Sequence, residues 1–165
     1  MGIYTNRKYI DDIQYVAGLD IPWERLKNRS IMLSGATGLI GSFLVDVILE
    51  KNATSDLNCM VYALGRNEEK AKTRFSKWSS DSHLIFIQYD VKKPLITDNI
   101  GTVDYVLHLA SNTHPMLYAT DPIGTITTNI IGVQNLLDFA LVHNVSRFVF
   151  ASSNEIYGEN RGDIE

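Results

Sequence analysis

From Ser30 onward, short runs that are apolar nearly throughout alternate with longer stretches whose apolar residues recur every three or four positions. The short runs predict strands over 30–35, 58–64, 83–89, 103–109 and 146–152. The helix-spaced stretches predict helices over 39–51, 67–78 and 123–143. The runs Val103–Leu109 and Phe148–Ala151 show little polar alternation. Strands read that way when both faces of a parallel sheet are covered by helices. Strand and helix alternating in this order predict a doubly wound α/β fold. No internal repeat and no low-complexity tract interrupts the pattern.

Residues 1–29 precede the first strand and read as a helical extension. Tyr9, Ile10, Ile13, Val16 and Ala17 fall near one helical face, and Gly18 suits the end of that helix. Ile21, Pro22 and Trp23 are expected to pack on the domain that follows, residues 30–165.

The joint between the first strand and the first long helix carries the most chemistry. An apolar run reaches Ser34, then Gly35, Ala36, Thr37, Gly38, Leu39, Ile40 and Gly41 follow. Phe43, Leu44, Val47 and Ile48 continue at helical spacing. Gly35 can take the backbone angles of a tight turn. Gly38 removes a side chain where a pyrophosphate must approach the backbone, and Gly41 lets the helix sit close to the sheet. Free N–H groups and the positive end of the helix dipole then face the anion. Two residues, not one, separate the first two glycines.

Composition narrows the class. At 165 residues with 45% hydrophobic and 21% charged residues, the chain can build one globular core. A net charge of −4 argues against nucleic acid as a partner. No apolar stretch approaches a membrane span, and the first residues are too polar for a secretory signal. Cys59 is the single cysteine and sits in an apolar run, which predicts a core residue and a cytoplasmic setting. The four histidines, His83, His108, His114 and His143, show no metal-ligand spacing. The sequons at Asn28, Asn52 and Asn144 read as chance matches.

The Gly-x-x-Gly-x-x-Gly spacing after Ser34 resembles the extended branch of the short-chain dehydrogenase/reductase superfamily. That branch includes the NAD-dependent epimerases, dehydratases and decarboxylases of nucleotide sugars. The resemblance covers about residues 30–160 and implies an NAD(P)-binding Rossmann fold. It implies cofactor contacts from Gly35, Thr37, Gly38, Leu39, Ile40 and Gly41. Asp90 and Val91 match the adenine pocket of the family. Leu109, Ala110 and Ser111 match a His-x-Ala-Ala-like segment against which the cofactor lies. Asn129 matches an asparagine that steadies cofactor and active-site backbone. At the end of the second strand an acid would select NAD, but this chain has Gly65 and Arg66. Arg66 can pair with a 2′-phosphate, which leans toward NADP, while Glu68 and Glu69 nearby weaken the local positive field.

A second resemblance lies at the fifth strand, from Phe150 to Gly158. Ser153, four residues before the Tyr157-Gly158 pair, fills the place of the hydroxyl that bonds the reacting oxygen during hydride transfer. Family dehydratases have Asp-Glu next, acid then base. Here Asn154 and Glu155 keep the base and lose the acid, because an amide supplies no proton at neutral pH. The family's Tyr-x-x-x-Lys pair does not follow within the chain. Tyr4 to Lys8 and Tyr89 to Lys93 have that spacing but lie in the wrong places.

The sequence therefore predicts the cofactor-binding part of a nucleotide-sugar epimerase, dehydratase or decarboxylase, cut before the substrate domain and with little activity alone. A homodimer, favoured by a bare sheet edge, is expected. An NADP-dependent carbonyl reductase of the same branch and a non-catalytic dinucleotide sensor stand as alternatives.

Overall fold

The computed structural model describes residues 2–96, 100–111 and 115–153, together with Ile156 and Gly158. Five parallel strands form one sheet: β1 (Ser30–Ser34), β2 (Met60–Gly65), β3 (Leu84–Gln88), β4 (Tyr105–His108) and β5 (Arg147–Phe150). Their spatial order is β3-β2-β1-β4-β5. The chain steps outward from β1 to β3, then crosses to the other side of β1. The loops leaving β1 and β4 therefore diverge and open a crevice at the carboxyl ends of the strands. The register sets Ser34 level with Leu64 and His108, and His108 level with Phe150. Four strand ends thus share one rim. This is the doubly wound arrangement that the sequence predicts.

Alternate residues of each strand feed two cores. Leu33, Val61 and Ala63 pack with Val45, Ile48 and Leu49 of α2 (Leu39–Thr54) and with Ala71, in α3 (Glu68–Arg74). Met32, Tyr62, Leu64 and Val106 pack on the opposite face with Leu136 and Phe139, two helices later. Those helices are α4 (Pro115–Thr120) and α5 (Pro122–Val142). The edge strands depart from the predicted two-sided burial: Ile85 in β3 and Val149 and Phe150 in β5 are partly exposed.

The helix predicted over 67–78 is split. Asn67 caps α3 by accepting the Lys70 N–H. The helix ends at Arg74, and a single tighter turn, Ser76–Trp78, follows. The break lets both Phe75 and Trp78 turn into the core. The six residues of α4 are too few to leave a legible period in the sequence.

The extension folds as α1 (Arg7–Ala17), capped by Asn6, whose side chain accepts the Tyr9 N–H. Gly18 follows it in right-handed helical geometry, its N–H returning to the Gln14 carbonyl. Ile13 and Ala17 are buried against Phe43 and Val47 of α2. This explains why α2 is apolar almost all round: one face meets the sheet and another meets α1. Trp23 packs inward as predicted, whereas Ile21 is 48% exposed.

Beneath this contact lies a buried carboxylate, Asp46, fully enclosed. One oxygen accepts from the Tyr4 hydroxyl at 2.7 Å and the Trp78 indole N–H at 2.7 Å. The other accepts from the Tyr9 hydroxyl at 2.5 Å and the Arg74 guanidinium at 2.6 Å. Arg74 also donates to both phenol oxygens. Burial first, and the Asp46 acceptor second, push both phenol pKa values well above the ordinary tyrosine range. They stay donors. The Tyr4–Lys8 spacing is thus absorbed by structure, because Tyr4 serves Asp46.

At the opposite rim Asp104 ties β1 to β4. It accepts from the Ser30 N–H at 2.8 Å, the Ser30 hydroxyl at 2.9 Å and Arg29 at 2.8 Å. Burial alone would raise its pKa, but the Ser30 and Arg29 donors outweigh it and hold the carboxyl below its usual value. A depressed folded-state pKa adds stability above the unfolded value near 3.9, and that stability drains as pH falls through the folded value. Urea unfolding is expected to show an Asp104→Ala deficit at pH 7 that shrinks below about pH 4. A deficit independent of pH would remove this role.

Cys59 is buried, and burial, then Asp104, pushes its thiol up to about 12, so it carries no thiolate. The Asn52 side chain is spent bridging the Cys59 backbone N–H and carbonyl. Among the described residues no group of three His, Cys, Asp or Glu is placed to hold a metal, and no helix is long and apolar enough to cross a membrane.

Candidate functional site

The glycine turn between β1 and α2 has a geometry that side chains would block. Gly35 has φ +69°, and a Cβ there would stand 2.9 Å from the Ala110 nitrogen. At Gly41 a Cβ would fall 2.5 Å from the Gly35 carbonyl oxygen and 3.0 Å from the Ala36 Cα. From its place in the spacing, Gly41 is expected to let the helix sit close to the sheet. Its close neighbour is instead the turn's own backbone, so Gly41 closes the turn on itself. Gly38 is the N-cap of α2, and no side chain caps it. The first bond of the helix returns from the Ser42 N–H to the Gly38 carbonyl. The N–H groups of Leu39, Ile40 and Gly41 are therefore left without helical partners and point out of the helix end. Leu39 and Ile40 leave their side chains 89% and 63% exposed at the same mouth.

Above this turn opens a cleft of about 720 Å³. Gly35, Thr37, Gly38, Leu39, Ile40 and Gly41 form its floor. Arg66, Asp90 and Val91 close one end, and Leu109, Ala110, Ser111 and Asn129 line the middle. Ala151, Ser152 and Ser153 stand at the other end. All the candidate site residues in the described part of the chain are therefore brought to one cavity. Glu155, with Asn154, Tyr157 and His114, lies outside the described residues. An uncapped helix end, a backbone cradle that any Cβ would fill, and an elongated cleft suit a dinucleotide.

The polar groups are held in place. The Ser111 hydroxyl donates to Asn129 Oδ1 at 2.8 Å, joining the β4 loop to α5. Gln88 Nε2 donates to the Arg66 carbonyl at 3.1 Å and fixes the turn after β2. Glu68 and Glu69 both pair with Lys72, not with Arg66. Arg66 makes no ion pair among the described residues, and Lys70 joins it in lining the cleft. Asp90 accepts the Lys92 N–H at 3.1 Å. Tyr89 donates to the Lys93 carbonyl, and burial, then Asp90, pushes its hydroxyl up to about 12. The Tyr89–Lys93 spacing is thus a turn contact.

Some contributors escaped the sequence reading. Asn135 donates its amide to the Val91 carbonyl at 2.8 Å, steadying one wall from within α5. Helical spacing from Asn129 does not flag it, because its partner is non-local. Lys70 was hidden in a charged run. In the sequence Ser34 marks only the entry to the glycine turn. Its hydroxyl lies 2.5 Å from His108 Nδ1 and accepts the N–H groups of Leu109 and Ala110 at 3.1 and 3.2 Å.

The family model described as the NAD dependent epimerase/dehydratase family matches residues 31–165. A UDP-glucuronic acid decarboxylase of Arabidopsis thaliana is 33% identical over 132 residues, covering 80% of this chain and 36% of that protein. A dTDP-glucose 4,6-dehydratase of Streptomyces antibioticus is 31% identical over 139 residues, covering 78% of this chain and 38% of that protein. Among solved structures, a double mutant of a dTDP-glucose 4,6-dehydratase from Streptomyces venezuelae, with NAD and DAU bound, is 25% identical at a TM-score of 0.68. That match covers 79% of this chain and 41% of the other. The chain spans little more than a third of the length of the relatives it matches.

Proposed function

Since this chain belongs to the NAD dependent epimerase/dehydratase family, we propose that it is the coenzyme-holding part of a nucleotide-sugar epimerase, dehydratase or decarboxylase. The observation that carries this reading is the single cleft joining the glycine turn to the end of β5. The relatives named above act on nucleotide sugars by their names, and the family description specifies NAD.

The residues divide by task. The N–H groups of Leu39, Ile40 and Gly41 bind the pyrophosphate at the α2 terminus. Asp90 accepts from the adenine amine, and Val91 packs on the ring. Ala110 and Ser111, with short side chains just past the β4 end, let the coenzyme lie against the strand, and Leu109 lines the same wall. When bound, the nicotinamide ring supplies an acceptor and donor of hydride for a sugar carbon. Ser153 holds the reacting oxygen where charge changes. Glu155 serves as the base on the keto sugar, and the amide of Asn154 weighs against the acid step of a dehydratase.

Arg66 and Lys70, both free of the neighbouring glutamates, favour a 2′-phosphate and hence NADP. A charge-assisted hydrogen bond contributes about 1.5–3 kcal/mol. Calorimetric titration with NADH and NADPH tests both points. We expect one dinucleotide per chain, and Arg66→Ala to weaken NADPH about tenfold or more while leaving NADH nearly unchanged. Equal effects on the two coenzymes would withdraw the NADP preference. If neither coenzyme binds the chain or its parent, the whole reading fails. Turnover of UDP- and dTDP-sugars by the parent then selects among the three reactions.

A further inference from the structure

The junction of β1 and β4 contains a buried histidine that the proposed chemistry does not use. His108 is fully enclosed, with its ring level with Ser34 on one side and Phe150 on the other. The Ser34 hydroxyl already accepts two backbone N–H groups, from Leu109 and Ala110. An oxygen that accepts twice directs its own proton to an acceptor, and among the described residues the group offered is His108 Nδ1 at 2.5 Å. This assigns the imidazole as neutral, with its proton on Nε2. Nε2 itself has no hydrogen-bond partner among the described residues. The ring therefore earns its place through Nδ1.

The hydrogen-bonded chain ends at the coenzyme cradle. Leu109 and Ala110 line the cleft, and the backbone of the same two residues is what a Cβ at Gly35 would strike. The separation between the β4 turn and the glycine turn is thus set where Ser34 grips both N–H groups. From these contacts we propose that His108 is a positioning residue, which acts through Ser34 to fix the Leu109–Ala110 turn against the glycine loop, and that only its neutral form does so. The coenzyme part of this proposal rests on the functional reading above.

Protonation breaks the arrangement for a simple reason. Imidazolium Nδ1 is a donor, so three donors would then converge on one Ser34 oxygen that has room for two. Among the described residues, Ser34 from β1 and Phe148 and Phe150 from β5 lie against the ring, and Gly132 of α5, with Val91 beside it, lies on the Nε2 side. None carries a charge that would favour imidazolium. Burial holds the pKa of His108 below its ordinary value, so the neutral form prevails at neutral pH and the switch lies on the acid side.

Two measurements on the wild-type chain and on His108→Asn and His108→Phe test this. Asn presents an acceptor near the Nδ1 position and does not titrate, whereas Phe keeps the bulk and removes the acceptor. The Leu109 N–H is shared with the Ser34 carbonyl at 3.3 Å, so amide hydrogen-exchange protection is read at Ala110; corrected for intrinsic rates, it is expected to fall in wild type as pH drops through the His108 titration followed by NMR. It is expected to stay level with pH in His108→Asn and to be low throughout in His108→Phe. NADH affinity should follow the same pattern, with His108→Phe about tenfold weaker at pH 7 and His108→Asn recovering most of the loss. Protection in wild type that ignores His108 protonation, or an acid-side loss that persists in His108→Asn, overturns the proposal. Intact proton-linked protection in a chain that binds no dinucleotide would instead sink the coenzyme reading and leave the positioning of the turn standing.

Discussion

Gly41→Val should abolish dinucleotide binding while the protein keeps its sheet. The reason is local. A Cβ at Gly41 falls 2.5 Å from a backbone oxygen of the same turn, and backbone cannot swing aside as a side-chain tip can. The turn must open, and the N–H groups of Leu39, Ile40 and Gly41 then cease to converge. Anion binding at a helix end depends on that convergence as much as on the dipole. We expect affinity for NADH to fall at least 100-fold by calorimetry, with far-ultraviolet circular dichroism near wild type. Gly38→Ala is the control. Its Cβ would meet the Gly35 oxygen at 3.1 Å, a milder contact, so a smaller loss is expected. Equal, slight losses in both would show that the turn does not hold the pyrophosphate.

Asp46→Ala should be the most destabilising single change in the chain. Removing one partner of a buried ion pair leaves the other charge without compensation and typically costs about 3–5 kcal/mol. Here Arg74, the Tyr9 phenol and the Trp78 indole N–H lose this acceptor together, and Tyr4 is left with the Arg74 carbonyl at 2.9 Å. In a domain of this size that amounts to a fall of roughly 10 °C in the melting midpoint. Tyr9→Phe removes one donor of the four and should cost about 1 kcal/mol. If thermal unfolding shows Asp46→Ala no worse than Tyr9→Phe, the network contributes little beyond its apolar contacts.

The parallel sheet was legible because strands buried on two faces carry an unmistakable apolar density, and because Gly35, Gly38 and Gly41 mark the joint between β1 and α2. The cleft residues were legible because they sit at strand ends, whose order the doubly wound pattern dictates. The Asp46 network was not. Tyr4, Tyr9, Asp46, Arg74 and Trp78 are spread over three segments, and no local period relates them. Residues 1–29 consequently read as an appendage, although Tyr4 and Trp23 contribute to the main core. The break in α3 was missed for a related reason. Glu68–Arg74 and Ser76–Trp78 share one apolar period, and only the burial of both Phe75 and Trp78 requires the kink. Ser34 and Asn135 escaped because each acts on backbone groups far away in sequence.

Three asparagines, Asn28, Asn58 and Asn144, take positive φ values of 55°, 53° and 52°. Each stands two or three residues upstream of a strand, before β1, β2 and β5 respectively. Short polar side chains tolerate this left-handed twist, and branched ones do not. The direction in which three of the five ribbons are launched is therefore decided by solvent-side corners, before any interior contact is made. Sequence drift at such corners is bounded by torsion angles, not by packing, so an isoleucine there would misaim a whole ribbon while leaving every buried residue unchanged.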